Sequence, residues 1–113
     1  MHELGIAQNI VKIVQEEVSA RKLTGPVEKV VFRAGRLNAI VPESLQFNFD
    51  VLKKDVEILK NAMLDVLEIP IRVTCSACGK TNEIEEPFFL CTDCGAAVTV
   101  ETGQEMFVEQ ITL

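Results

Sequence analysis

Residues 75–95 read CSACGKTNEIEEPFFLCTDCG, and this stretch holds all four cysteines of the 113-residue chain. Cys75 and Cys78 form one Cys-x-x-Cys-Gly sequence, and Cys91 and Cys94 form a second copy of it. Two sulfurs separated by two residues can converge on one ion, so the doubled motif predicts a tetrahedral zinc site with four cysteine ligands. Because sulfur takes all four positions, the predicted site is closed, and its role is structural.

Three other interpretations of the cysteines stay open at this point: four packed thiols, a redox-active dithiol pair, and a rubredoxin-like iron site. The six Phe with no Trp or Tyr argue against iron, since small electron carriers usually shield such a site with aromatic rings. Between the two cysteine pairs we expect a hairpin in which Asn82 to Ile84 returns as Phe88 to Leu90.

The charge around the cysteines limits the possible partners. The chain has a formal net charge of −6, and residues 75–103 carry five acidic residues against Lys80 alone. Four thiolates around one Zn²⁺ add about two more negative charges. Phosphate backbones are repelled by such a surface, so we expect no nucleic-acid partner.

Upstream of the cysteines, the N-terminal region predicts an amphipathic helix. Apolar residues recur at steps of three and four over residues 4–18, with polar residues between them. We expect the helix to end near Lys22, because the following Thr-Gly-Pro provides a glycine for the left-handed cap and a proline that cannot continue the helix. The first three residues then form a short arm at the positive end of the helix.

This arm carries candidate nickel ligands. The amine of Met1, the amide nitrogen of His2 and the imidazole Nδ1 of His2 can close two chelate rings on one ion, in the square plane that Ni(II) or Cu(II) prefers. The fourth position is left for Glu3 or for a ligand from a partner. Considered alone, a histidine at position 2 is more often an exposed residue without a role.

The remaining elements predict the fold class. Residues 27–34, 63–73 and 106–113 are expected to be strands, and Pro70 indicates an edge position or a local break. A second helix is expected to begin at Pro42, although the stretch after Lys54 fits an irregular connection equally well. The apolar stripe of this helix is Leu45, Phe49, Leu52, Val56 and Leu59.

We therefore expect an α+β fold with two helices packed on one face of a small three-stranded mixed sheet, and an inserted zinc-ribbon-like module. The expected domains are residues 1–73 plus 104–113, a nickel-binding α/β domain, and residues 74–103, a zinc-binding module.

Several classes of protein are disfavoured by what the sequence lacks. No apolar run approaches the roughly 18 residues of a membrane span, and the N-terminus has no signal-peptide pattern, so we expect a cytoplasmic protein without a membrane partner. No histidine lies near any cysteine, and neither a P-loop nor a dinucleotide fingerprint is present, so we do not expect an enzyme.

Taken together, these motifs resemble the HypA/HybF family of hydrogenase maturation nickel chaperones. The resemblance covers essentially the whole chain. It rests on the Met1-His2-Glu3-Leu4 start, the Gly35-x-Leu37 turn, the Pro42-Glu43-x-Leu45-x-Phe47-x-Phe49 helix start and the doubled cysteine motif. By this resemblance Met1, His2 and Glu3 correspond to the nickel ligands, and Cys75, Cys78, Cys91 and Cys94 to the zinc ligands.

The resemblance also implies what the protein works with. The expected metals are Zn²⁺ as a structural ion and Ni²⁺ as cargo. The expected partners are the GTPase HypB, the large subunit of [NiFe] hydrogenase and, for some members, urease maturation proteins. Separately from the resemblance, the chain is expected to be a monomer or a homodimer, since a two-part chain can exchange elements between protomers. The alternative function is a zinc-ribbon module that binds a protein or a nucleic acid.

Overall fold

The computed structural model describes residues 2–113, which form two compact units. Unit 1 comprises the chain up to Arg33 together with Ile40–Leu67 and Phe107–Leu113. Unit 2 comprises Ala34–Ala39 and Glu68–Met106. The helices are α1 (His2–Ala20) and α2 (Pro42–Lys53), and the strands are β1 (Lys29–Gly35), β2 (Met63–Ile69), β3 (Ile71–Cys75), β4 (Thr81–Ile84), β5 (Val98–Thr102) and β6 (Met106–Thr112).

Helices α1 and α2 pack against each other in unit 1 through their apolar faces. Ile10 and Val14 of α1 and Leu45 and Phe49 of α2 are completely buried, as the three- and four-residue spacing predicts. The Nε2 of Gln46 donates to the carbonyl of Leu64 at 3.1 Å, which ties α2 to β2. The predicted helices thus supply one part of the core of unit 1, and buried strand residues such as Val30, Phe32 and Leu64 supply another.

The C-terminus of α1 lies where it is predicted, but a different residue provides the cap. Lys22 adopts the left-handed conformation, with φ 54°. Its amide donates to Ser19 O and the amide of Leu23 donates to Val18 O, the bonding of a Schellman motif. The expectation that Gly25 accepts the left-handed cap is wrong, because the helix has already ended before it.

The first sheet has the order β2-β1-β6 and is mixed, as predicted. Met63 N donates to Glu28 O at the point where β2 and β1 both begin, so these neighbouring strands run in the same direction. Glu28 N donates to Thr112 O and Gly35 N donates to Glu105 O, so β6 runs against β1. After α2 the chain makes only one 3-10 turn, Glu57–Leu59, so the second helix is shorter than its apolar stripe.

The predicted strand over residues 63–73 is two strands that belong to different sheets. Only Pro70 separates β2 from β3, and β3 is the centre of a second sheet with the order β4-β3-β5. Proline lacks the N–H that a continuous ladder needs, so the chain changes sheets there. Pro70 therefore marks the local break that the sequence indicates.

The expected hairpin within the cysteine stretch is wrong. β4 pairs with β3 in antiparallel register, for example Val73 with Asn82, and β5 pairs with the other edge of β3. Leu90 instead forms an isolated bridge with Ala97. Strand β3, which precedes the first cysteine pair, is the better partner because its Ile71 and Val73 are buried and can anchor a sheet.

Gly35 sits where unit 2 brings two backbones into contact. A Cβ atom added at this position would lie 2.0 Å from Gly103 O. The amide of Leu37 donates to the same carbonyl at 2.9 Å. Only glycine permits this approach, which gives a physical reason for the Gly35-x-Leu37 motif.

Candidate metal centre

The four cysteine sulfurs of unit 2 converge at one point, with all ligand atoms within 4.8 Å of one another. Cys75 Sγ lies 3.4 Å from Cys94 Sγ, and Cys78 Sγ lies 3.8 Å from Cys91 Sγ. Sulfurs at tetrahedral positions about 2.3 Å from a zinc ion are separated by about 3.8 Å. The cysteine cluster therefore has the dimensions of a tetrahedral zinc site.

Two identical turns position these sulfurs. Gly79 N donates to Cys75 O and Gly95 N donates to Cys91 O, both at 2.9 Å. Both glycines have φ 76°, a conformation that a residue with a Cβ rarely adopts. The glycine that follows each cysteine pair thus closes the turn that aims both sulfurs at one point.

The cysteines differ in exposure in the same way in both turns. Cys75 and Cys91 are buried, while Cys78 and Cys94 are exposed. Each turn therefore anchors its first sulfur in the unit and presents its second sulfur at the surface. A zinc ion at this site would have two buried ligands, Cys75 and Cys91, and two exposed ligands, Cys78 and Cys94, through which a chelator could reach it.

Backbone donors and thiol neighbours give the cysteines very different acidities. The amide of Cys78 donates to Cys75 Sγ at 3.4 Å, and this bond is the main reason that the pKa of Cys75 falls to about 6. At Cys94 the Ala96 amide acts in the lowering direction, but the hydrogen bond with the Cys75 thiol and the partial loss of solvent around the sulfur outweigh it and raise the pKa to about 12. Four sulfurs this close cannot all ionise without a cation between them, so the donor set calls for a metal ion.

An ion pair joins the two cysteine turns at the surface. Lys80 Nζ lies 2.5 Å from Asp93 Oδ2, and both side chains are about half exposed. Asp93 raises the pKa of Lys80, first through this hydrogen bond and then through its charge. Lys80 follows the first turn and Asp93 lies within the second, so the pair holds the turns together and places a positive charge beside the thiolates.

The expectation of an arm ahead of α1 is wrong for His2 and Glu3, which lie in the first turn of the helix. The His2 side chain is 53% exposed, whereas that of Glu3 is only 9% exposed. His2 Nε2 and Glu3 Oε2 are 3.7 Å apart. Met1, the third residue of the predicted nickel site, lies outside the described residues.

Glu3 is buried because it satisfies the start of the other helix of unit 1. Val41, the N-cap of α2, has no side chain that can accept a hydrogen bond, and its amide donates to Glu3 Oε2 at 3.3 Å. This bond, followed by one from the amide of Glu3 itself, lowers the pKa of the Glu3 carboxyl. The sequence signal is Ser44 at the third helical position, where a capping box has the Glu or Gln that accepts the amide of the N-cap residue.

A groove on the surface of unit 1 offers no comparable chemistry. It has a volume of about 340 Å³, runs between α1 and β6 and is lined in part by Ile13, Leu23 and Ile111. Its two acidic residues already form ion pairs, Glu17 with Arg21 at 3.0 Å and Glu109 with Arg33 at 2.8 Å.

Over residues 2–113, neither helix is long and apolar enough to cross a membrane.

Known proteins match the chain over its full length. The family model described as "Hydrogenase/urease nickel incorporation, metallochaperone, hypA" matches residues 1–113. The hydrogenase maturation factor HypA of Nostoc sp. (strain PCC 7120) is 40% identical over 112 residues, which are 98% of this chain and 94% of that protein. The HypA of Desulfosudis oleivorans is 37% identical over 114 residues, 100% of this chain and 98% of that protein.

Solved structures agree with the fold. The solution structure of the Ni metallochaperone HypA from Helicobacter pylori superposes with a TM-score of 0.70 at 19% identity, over 100% of this chain and 97% of that one. A second solution structure of a HypA protein gives a TM-score of 0.72, also at 19% identity, over 100% and 96%. At this identity the likeness shows a shared fold, including the α+β class expected from the sequence.

Proposed function

Because the chain belongs to the HypA family of nickel metallochaperones for hydrogenase maturation, we propose that it binds Ni(II) through Met1, His2 and Glu3. The observation that carries the proposal is the juxtaposition at the start of α1. There a half-exposed imidazole lies 3.7 Å from a carboxylate. The bound ion is then delivered to the large subunit of [NiFe] hydrogenase.

The helical start of α1 favours this chemistry for a physical reason. The first four amides of a helix have no carbonyl partner within it, and the His2 amide is one of them. Ni(II) can displace the proton of such an amide and bind the nitrogen, together with the Met1 amine and His2 Nδ1. Both chelate rings thus form at the solvent-facing end of the helix.

Glu3 has a different role from the other two residues. Its carboxylate accepts the Val41 amide and is nearly buried, so it holds a negative charge beside His2 instead of reaching out to solvent. The charge favours a cation at the imidazole. Water, the Glu3 backbone nitrogen or a partner ligand completes the coordination.

The zinc ion belongs to the cysteine cluster of unit 2, with Cys75, Cys78, Cys91 and Cys94 as its ligands. The sulfur separations of 3.4 and 3.8 Å support zinc in a closed tetrahedral site. We assign this ion a structural role and no catalysis. The domain division into residues 1–73 plus 104–113 and residues 74–103 remains our proposal for the nickel-binding and zinc-binding parts.

Partners follow from the role in hydrogenase maturation. We propose the GTPase HypB and the hydrogenase large subunit as direct partners, with urease maturation proteins as further ones, in the cytoplasm. The alternative of a nucleic-acid-binding zinc ribbon is disfavoured, because each of the three cations of unit 2 is already paired with a carboxylate.

The test is nickel titration by calorimetry, with the zinc content measured on the same samples. His2→Ala, or one extra residue ahead of Met1, should abolish stoichiometric Ni(II) binding while zinc stays near one per chain. Gln8→Ala, an exposed change on the same helix, is the matched control and should leave both metals unchanged. If stoichiometric nickel binding persists in both N-terminal variants, the nickel site lies elsewhere in the chain.

A further inference from the structure

Unit 2 displays three consecutive apolar side chains to solvent. Phe88, Phe89 and Leu90, which we call the Phe88 patch, are 54%, 42% and 48% exposed. Contiguous exposed apolar side chains rimmed by polar residues are typical of interaction sites, in contrast to single exposed ones. Neither the zinc centre nor the proposed nickel site uses them.

The backbone holds the patch in place. Phe88 N donates to Glu86 O at 2.7 Å, and Phe89 O accepts a bond from Val98 N at 3.2 Å. Leu90 is bridged to Ala97. The aromatic rings therefore project from a fixed scaffold, which lowers the entropy that a partner must overcome on binding.

Unit 2, which carries the patch, has seven acidic residues and three basic ones. Its three cations are Arg36, Arg72 and Lys80, and each is already paired with a carboxylate. Glu86, two residues before Phe88, has no cation within ion-pair distance anywhere in residues 2–113. With zinc bound, the thiolates add about two further negative charges.

We propose that the Phe88 patch docks a basic protein segment that inserts apolar side chains between or beside the two rings. A basic segment is favoured because its charge is opposite to that of unit 2. A second copy of the chain, a phosphate backbone and an anionic membrane would each bring more negative charge to the patch. The proposal goes beyond nickel binding and does not depend on His2.

The test exposes the zinc-loaded full chain to an array of random peptides of about 15 residues. The double variant Phe88→Ala/Phe89→Ala is compared with Phe47→Ala, which removes a ring that is 68% exposed on α2. Peptides that bind the wild type but not the double variant should be enriched in Lys and Arg together with Leu, Ile or Phe. For these peptides the Kd should rise at least about tenfold in the double variant and stay unchanged in the control, as for a paired aromatic hot spot.

A charge reversal tests the electrostatic half of the proposal. Glu86→Lys should lower the affinity for the same peptides several-fold and should make this affinity less dependent on salt concentration. Glu16→Lys, on the exposed face of α1, should change neither. Zinc content and amide spectra establish that each variant is folded.

Four outcomes would overturn the proposal. In the first, the peptides that the double variant no longer binds are not enriched in Lys and Arg; in the second, Phe47→Ala loses as much peptide affinity as the double variant. In the third, light scattering shows self-association of the wild type that disappears in the double variant. In the fourth, the protein binds phosphatidylglycerol vesicles and the double variant does not. The third result would assign the patch to a second copy, and the fourth to a membrane.

Discussion

The cysteine cluster of unit 2 and the His2–Glu3 pair of unit 1 are two very different arrangements of potential metal ligands. The cluster brings four like ligands within 4.8 Å of one another. The pair offers one half-exposed imidazole and one carboxylate that already accepts the Val41 amide. A complete, partly buried ligand set suits an ion that stays, and an incomplete exposed one suits an ion that is passed on.

The same contrast extends to what stabilises each unit. In unit 2 the buried apolar side chains are Ala34, Ile71 and Val73 with two of the cysteines, Cys75 and Cys91. Unit 1 instead buries large side chains from both helices and from its sheet. Because a core as small as that of unit 2 needs a metal, zinc should be a folding ligand for unit 2 and not for unit 1.

The largest predicted effect comes from removing one zinc ligand. A structural zinc site contributes about 10–16 kcal/mol of apparent binding free energy over four ligands, so Cys91→Ser should weaken zinc binding about 100-fold or more. Zinc content should fall to near zero after dialysis against a chelator, and the amide signals of unit 2 should collapse. Elemental analysis and a ¹⁵N correlation spectrum measure both.

Ser76→Ala, an exposed change within the first cysteine turn, should retain zinc and is the control for this prediction. Unit 1 amides should keep their dispersion in Cys91→Ser. If they collapse together with those of unit 2, the contrast between a metal-dependent unit and a metal-independent unit fails.

A less extensive effect, which weakens a unit without abolishing its fold, is expected from the apolar core. Phe49 is completely buried between the elements of unit 1, so Phe49→Ala should destabilise that unit by about 3–5 kcal/mol through lost burial and the resulting cavity. Denaturant unfolding followed by residue-resolved amide signals measures the change. Phe47→Ala, two residues earlier and largely exposed, should stay within about 0.5 kcal/mol of the wild type. Zinc loss on Phe49→Ala would show that the two cores are not independent.

The smallest effect concerns the ion pair between the cysteine turns. Lys80 and Asp93 are half exposed, and such a pair contributes up to about 1 kcal/mol, so Lys80→Ala should speed zinc release up to about fivefold. The difference should disappear in concentrated salt, where the pair is screened. Chelator-trapped release kinetics measure it, with Lys12→Ala as the control. A fivefold effect that persists in high salt would point to packing instead of charge.

The spacing of residues allowed much of this architecture to be predicted. Periodicity located both helices and the three strands of the first sheet, since burial on one face imposes a regular repeat. The doubled Cys-x-x-Cys-Gly spacing identified the cysteine turns, and the structure adds that Gly79 and Gly95 both have a left-handed backbone. These features are local, so the sequence carries them directly.

Pairing between distant segments could not be predicted in the same way. The sequence around Asn82 and Phe88 fits a local hairpin, but β4 pairs with β3, whose buried residues lie upstream of the first cysteine. Similarly, nothing near Glu3 indicates that it accepts the amide of Val41, 38 positions later in the chain. Competition among alternative partners decides such contacts, and it depends on three-dimensional packing.

The place of β6 in the first sheet has a consequence for synthesis on the ribosome. β1 is the central strand of that sheet, and β6 covers one of its edges. The last zinc-ligand candidate, Cys94, precedes β6 in the chain, so all four sulfurs emerge before the strand that completes the sheet. In the order of translation, the chain has all four cysteines of the candidate zinc site before it has the last strand of the first sheet.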